Sequence, residues 1–147
     1  QTKPTNCLQT CIAMILGIEV DALPAQHVYE KREDRSEWGN VLRVYLDRHH
    51  GLTYVEVPPE QFARNMPMFT DRHIIIGETV RTKDNKAWHA IVGHHGEPVW
   101  DVHPSHAGLT KITGWGILVP TPAEWRATWK DVECVCRECK QSAKEAA

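Results

Sequence analysis

Cys7 lies between Asn6, a good helix N-cap, and an apolar run, with Gln9 where the second partner of a capping box belongs. The spacing predicts that Cys7 is the first residue of a helix. A thiol there meets unpaired backbone N–H groups at the positive end of the helix dipole, which favours the thiolate, the attacking form of sulfur. Acyl transfer by a thiolate also needs an imidazole to pair with it, a side chain to orient that imidazole, and donors for the oxyanion. His89 and Asp101 are the candidates for the imidazole and its orienting acid. They fall in two strand-like runs, 88–93 and 97–102, separated by His94-His95-Gly96. A loop of those three residues, with Gly96 left-handed, pairs Gly93 with Glu97 and sets His89 directly opposite Asp101. A loop one residue shorter or longer would turn Asp101 to the other face. Gln1, ahead of the nucleophile, is the candidate oxyanion donor together with the Cys7 backbone N–H.

The remaining elements must position these groups. Leu8, Cys11, Ile12, Ile15 and Leu16 recur at helical spacing and mark the core face of the first helix, which Gly17 stops. Cys11, one turn below Cys7, reads as a small buried hydrophobe. Asp21 can open one helical turn before Pro24, and residues 27–37, rich in both charges, read as an exposed loop or frayed helix. Ser36 caps a second helix with Trp38, Val41, Leu42, Tyr45, Leu46 and His49 on one face, ending at Gly51. His49 and His50 suit the negative end of its dipole.

From Leu52 the period becomes two. Residues 52–57 read as a strand, 59–65 as a short helix, 73–80 as a strand buried on both faces, and 81–86 as a polar turn. In the hairpin, Ile91 and Val99 share the face of His89, while Trp88, Ala90, Val92, Trp100 and Val102 form a core face. His103 and His106 follow Asp101 in a loop that would rim the site. Residues 111–119 supply another strand, with Gly114 and Gly116 marking a bulge or close backbone approach. Thr121-Pro122-Ala123-Glu124 combines a capping box with proline at the first helical position and opens a helix showing Trp125, Trp129 and Val132, frayed over 140–147.

The chain has 147 residues, which predicts a single domain, 1–147, with 121–147 as a C-terminal helix and tail. A formal charge of −2 with scattered basic residues gives no reason to expect nucleic acid or a membrane surface as partner. The longest apolar run surrounds Ile74-Ile75-Ile76, far short of a bilayer span. Five cysteines in two clusters do not form the even pattern of a disulfide-stapled domain, so a reducing, cytoplasmic setting is expected.

Gln1 followed by Asn6-Cys7-Leu8-Gln9-Thr10-Cys11 resembles the Gln and Asp-Cys-Gly-x-x-Cys motif of the bacteriocin-processing (double-glycine leader) peptidases, a papain-like family. Trp88-His89-Ala90-Ile91-Val92 and Asp101 are similar to that family's His-Phe-Val-Val and Asp-Pro blocks. The resemblance implies a papain-like α+β fold, N-terminal helices packed on an antiparallel sheet. It also implies a cysteine peptidase or amide hydrolase with Cys7 as nucleophile, His89 as base and acid, Asp101 as orienting residue and Gln1 as oxyanion-hole side chain. The expected partner is a peptide or protein substrate, with no cofactor and no catalytic metal. Asn6, Leu8 and Val102 replace the family's Asp, Gly and Pro, so substrate choice does not carry over. Without a transporter segment, export-coupled leader processing is not implied; the short domain is also similar to small stand-alone peptidase-like proteins of phages and bacteria.

Two other functions use the same residues or their neighbours. An acyltransferase would employ the same Cys–His–Asp set toward a different acceptor. A non-catalytic papain-like or zinc-binding interaction module would use Cys134, Cys136 and Cys139, whose Cys-x-Cys-x-x-Cys spacing lacks an obvious fourth ligand. On a continuing helix Cys134 faces away from the other two, so zinc there requires the helix to break.

Overall fold

A computed structural model describes residues 6–25, 36–65, 71–82, 85–129, 132 and 134. In chain order its elements are α1 (Cys7–Leu16), a 3-10 turn (Val20–Ala22), α2 (Ser36–His50), β1 (Leu52–Val57), α3 (Pro59–Asn65), β2 (Arg72–Thr82), β3 (Asn85–His94), β4 (Glu97–Trp100), β5 (Lys111–Pro120) and α4 (Ala123–Arg126). The strands form a five-stranded antiparallel sheet in the order β1-β5-β2-β3-β4, so the fold is α+β. The chain forms two compact units, one of Gln1–Ile18 with Val55–Ile117 and one of Glu19–Tyr54 with Leu118–Ala147.

In the first unit α1 lies against β3 and β2. It begins at Cys7 and ends at Gly17, whose φ of 68° lets its N–H reach the Ala13 carbonyl. Gln9, Thr10, Cys11, Ile12 and Ala13 are buried, while Leu8, Ile15 and Leu16 keep part of their surface in water. At about 100° per residue five consecutive positions go right round the helix, so it is enclosed on all sides there and not along the single stripe expected. Burying Ile12 alone contributes about 1.5–3 kcal/mol. Asn6 does not cap with its side chain: at φ −107°, ψ 26° it lies outside the extended conformation that aims a cap at the helix. Its carbonyl instead accepts both the N–H (2.9 Å) and the hydroxyl (2.8 Å) of Thr10.

β2 is buried on both faces at Ile74 and Ile75 and pairs with β3 along its length, Gly77 standing opposite His89. One face carries an aromatic stack in which Phe62 of α3 lies parallel to Trp115 at 4.4 Å and tilts against His73 at 5.3 Å. The buried His73 imidazole donates from Nδ1 to the Asp71 carbonyl (3.0 Å), and burial lowers its pKa, holding it neutral. It has room only because its partner across the ladder is Gly93, where a Cβ would sit 2.5 Å from His73 Nε2.

The second unit is built on α2, whose Trp38, Val41, Leu42, Val44, Tyr45 and Leu46 are buried. Trp38 Nε1–H donates to the Pro24 carbonyl at 3.1 Å. The helix stops at Gly51, φ 65°. α4 is only four residues long, shorter than the expected helix, and neither Thr121 nor any other side chain caps it. Thr128 ends it: both its N–H (3.0 Å) and its hydroxyl (2.7 Å) take the Trp125 carbonyl, which a continuing helix would give to residue 129. Expectations for residues 27–35, for Lys83 and Asp84 in the polar turn, and for the tail from 135 onward lie outside the described residues.

Trp88 and Trp100 are not core. They are 67% and 54% exposed, whereas Ala90, Val92 and Val102 are buried as expected. β4 is an outer strand with all four residues exposed, so apolar alternation there does not mean a covered face.

Candidate functional site

The hairpin brings His89 and Asp101 together, though not by the expected register. Its loop has two residues, His95 and Gly96, both at positive φ (51° and 84°), and the ladder opens with His94 opposite Glu97 and Gly93 opposite Pro98. This is the primed turn favoured in short hairpins, and left unchanged it would point Asp101 away from His89. The register shifts before the next pair, Val92 opposite Trp100, so Val99 is an additional residue on β4. The shift restores the phase. Projected one step further, Asp101 stands level with Ile91, on the His89 face and diagonal to His89.

From just beyond the strand end, Asp101 Oδ1 meets His89 Nε2 at 2.7 Å, with His89 2% exposed. The carboxylate is held on other sides too. Oδ1 accepts the His103 N–H at 2.8 Å and Oδ2 accepts the Gly108 N–H at 2.9 Å. Burial acts to raise the Asp101 pKa, but the two backbone amides and His89 outweigh it and hold the group below its usual value. Sequence reasoning did not assign these amides a role. The signals were there: an Asp whose side chain can take the N–H two residues on, and a glycine able to adopt the φ of 68° seen at Gly108.

His103 touches the pair with its side chain as well as its N–H. Its ring stands edge-on to the His89 ring, centroids 5.9 Å apart at 87°, and its Nδ1 lies 2.7 Å from the Ser105 hydroxyl. His106 stands edge-on to the exposed Trp100 at 6.2 Å.

Cys7 opens α1 and is partly exposed, on a helix that packs against the strand carrying His89. Cys11, one turn on, is fully buried. Its thiol is pushed up by burial, and further by the negative charges of Cys7 and Asp101, so the helix start and the carboxylate both act on one buried sulfur. Gln1 lies outside the described residues. Among the described residues no three metal-binding side chains cluster together. No helix among them is long and apolar enough to cross a membrane.

The held carboxylate has a consequence for acid stability. An Asp whose folded pKa is depressed stabilises fully above its unfolded value, about 4, and loses that contribution as pH falls through the folded value. Asp101→Asn should therefore unfold more easily than wild type at neutral pH, with the gap constant down to about pH 4 and closing below it. Denaturant titrations across that range measure the gap; one that stayed constant to the acid limit would show that the carboxylate is not held as described.

Comparison with models of protein families, with curated proteins and with solved structures gave no match. The class that the residues define is an α+β fold carrying a part-buried His–Asp pair and a helix that starts on a cysteine.

Proposed function

We propose that this protein is a papain-like cysteine peptidase or amide hydrolase that cleaves a peptide or isopeptide bond through a thioester. The observation that carries the reading is the 2.7 Å contact between His89 Nε2 and a carboxylate fixed by two backbone amides. With Nε2 engaged by Asp101, Nδ1 is the nitrogen through which the ring serves as base. In the proposed reaction the Cys7 thiolate attacks the carbonyl carbon and the imidazolium of His89 gives its proton to the departing amine. Water then attacks the thioester as His89 takes its proton, releasing the acid and the thiolate. Asp101 keeps the ring oriented. The Cys7 N–H, in the first turn of α1, is one oxyanion donor, and Gln1 is the proposed second.

Site-mapped alkylation with iodoacetamide across pH tests the activation. Cys7 should react at least about 10-fold faster than Cys11 or Cys134, both buried, and keep reacting well below the ordinary thiol range near pH 8.5. In His89→Ala the pH profile should move up to that ordinary range. A wild-type profile centred there, and unmoved by His89→Ala, would rule out a thiolate–imidazolium pair.

A further inference from the structure

Cys7 and Cys11 stand one turn apart on α1, the first partly exposed at the helix start and the second fully buried. Positions four apart share one helix face, with Cβ atoms about 5–6 Å from each other. The Cα–Cβ bonds of a helix tilt toward its N-terminus, which aims the Cys11 side chain at the turn that Cys7 begins. The two thiols act on each other electrostatically. After burial, the charge of Cys7 is the next influence that raises the Cys11 pKa, and Asp101 follows. Cys11 thus lies within reach of the proposed site, yet bond cleavage gives it no task.

We propose that Cys7 and Cys11 form a reversible disulfide when hydrogen peroxide oxidises Cys7. In the first step the Cys7 thiolate attacks a peroxide oxygen and the O–O bond breaks. Cys7 becomes a sulfenic acid, and the departing hydroxide takes up the proton that Cys7 gave away. In the second step the Cys11 sulfur attacks the Cys7 sulfur, the S–O bond breaks, and the hydroxide leaves as water with the Cys11 proton. Two thiols lose one hydrogen each, and the peroxide is reduced to two waters.

The backbone span suits this bond. Four residues of helix advance about 6 Å, within the range of Cα separations, up to about 6.8 Å, that a disulfide accepts. Its Cβ atoms must stand about 3.5–4.5 Å apart, so those of Cys7 and Cys11 have to approach by about 1–2 Å. That movement is confined to the first turn, because Cys7 is the terminal residue of α1 and Asn6 before it makes no side-chain cap. Burial keeps the proton on Cys11, so the second step is slow in acid and quickens as pH rises. The closed bond occupies the proposed nucleophile and stops turnover until a thiol reductant reopens it. That consequence rests on the peptidase reading; the bond itself does not.

The test treats the reduced full chain with hydrogen peroxide, denatures it in guanidinium with iodoacetamide, and maps every cysteine by mass. Cys7 and Cys11 should escape alkylation together, in a peptide about 2 Da lighter than its reduced form, and dithiothreitol should return both thiols. In Cys11→Ala, a small residue suited to a buried helical position, dimedone should label the Cys7 sulfenic acid at least about 10-fold more than in wild type. The wild-type map decides the matter should that variant fail to fold. Equal dimedone labelling in the two proteins, Cys7 joined to Cys134, Cys136 or Cys139, or Cys11 still alkylated whenever Cys7 is blocked would each overturn the pairing. Peptide cleavage by the reduced wild type is measured alongside. A bond that closes in a chain without cleavage activity upholds the oxidation site and removes the peptidase, and cleavage without the bond does the reverse.

Discussion

Cys7→Ala is expected to lower turnover by at least about 10⁴-fold while leaving the unfolding midpoint where it was. The proposed chemistry has no other route: the bond to the acyl carbon forms from this sulfur, and the one other thiol in the same helix, Cys11, is fully buried with its pKa pushed up. A neutral outcome for stability follows from position. Cys7 is partly exposed at the first residue of α1, where a methyl group removes little packing and alanine is a good helix former. The measurement is kcat/KM on whichever peptides the wild type cleaves in a library screen, alongside thermal unfolding. Equal cleavage by Cys7→Ala would end the thioester mechanism, and a large fall in midpoint would make Cys7 a packing residue.

Gly77→Ala should cost about 3 kcal/mol or more, lowering the melting midpoint by roughly 6–12 °C for a chain of this size. A Cβ there would lie 2.1 Å from the Lys111 carbonyl oxygen, 3.0 Å from its carbon and 3.2 Å from Ile112 Cα. All three are backbone atoms of β5, which cannot rotate aside as a side chain can. The strands approach because the β2–β5 register shifts at Gly77: Ile76 faces Gly114, Gly77 faces Ile112, and Thr113 is left over. Two anchors resist their parting, Thr110 N–H to the Glu78 carbonyl at 2.8 Å and the Thr113 hydroxyl to the Ile76 carbonyl at 3.2 Å. Since Gly77 also pairs with His89 across β2 and β3, a strand displaced here moves the imidazole as well. Gly39 in α2 is the control. A Cβ there meets nothing within 4 Å, so Gly39→Ala should be neutral or stabilising by up to about 1 kcal/mol. Similar midpoints for the two variants would contradict the close approach.

The elements whose period is clean were legible from residues alone. β1 and α3 match their expected bounds, and α2 and the start and stop of α1 follow from Ser36, Gly51, Cys7 and Gly17. What could not be read depended on contacts between distant residues. Trp88 and Trp100 share a face with the buried Ala90 and Val92, yet both meet water, because what covers one position of a face and not another is set by distant parts of the chain. The end of α4 turned on a threonine hydroxyl competing for one carbonyl, a choice that propensity does not express.

The candidate site was half legible. The facing of His89 and Asp101 came from an argument about loop length whose premise differs from the structure, since the turn is one residue shorter than expected and Val99 returns the lost step. Histidine at position 95 hid the turn type, because a non-glycine residue at positive φ is uncommon even though histidine tolerates it better than most.

The irregularity at Val99 decides which side Asp101 takes, because the two-residue turn by itself would carry it away from His89. Deleting Val99 should give an unbroken ladder that keeps Trp100 opposite Val92 and Asp101 on the His89 side, whereas letting Val99 pair with Val92 without shortening the chain would carry Asp101 to the opposite side and separate the two groups.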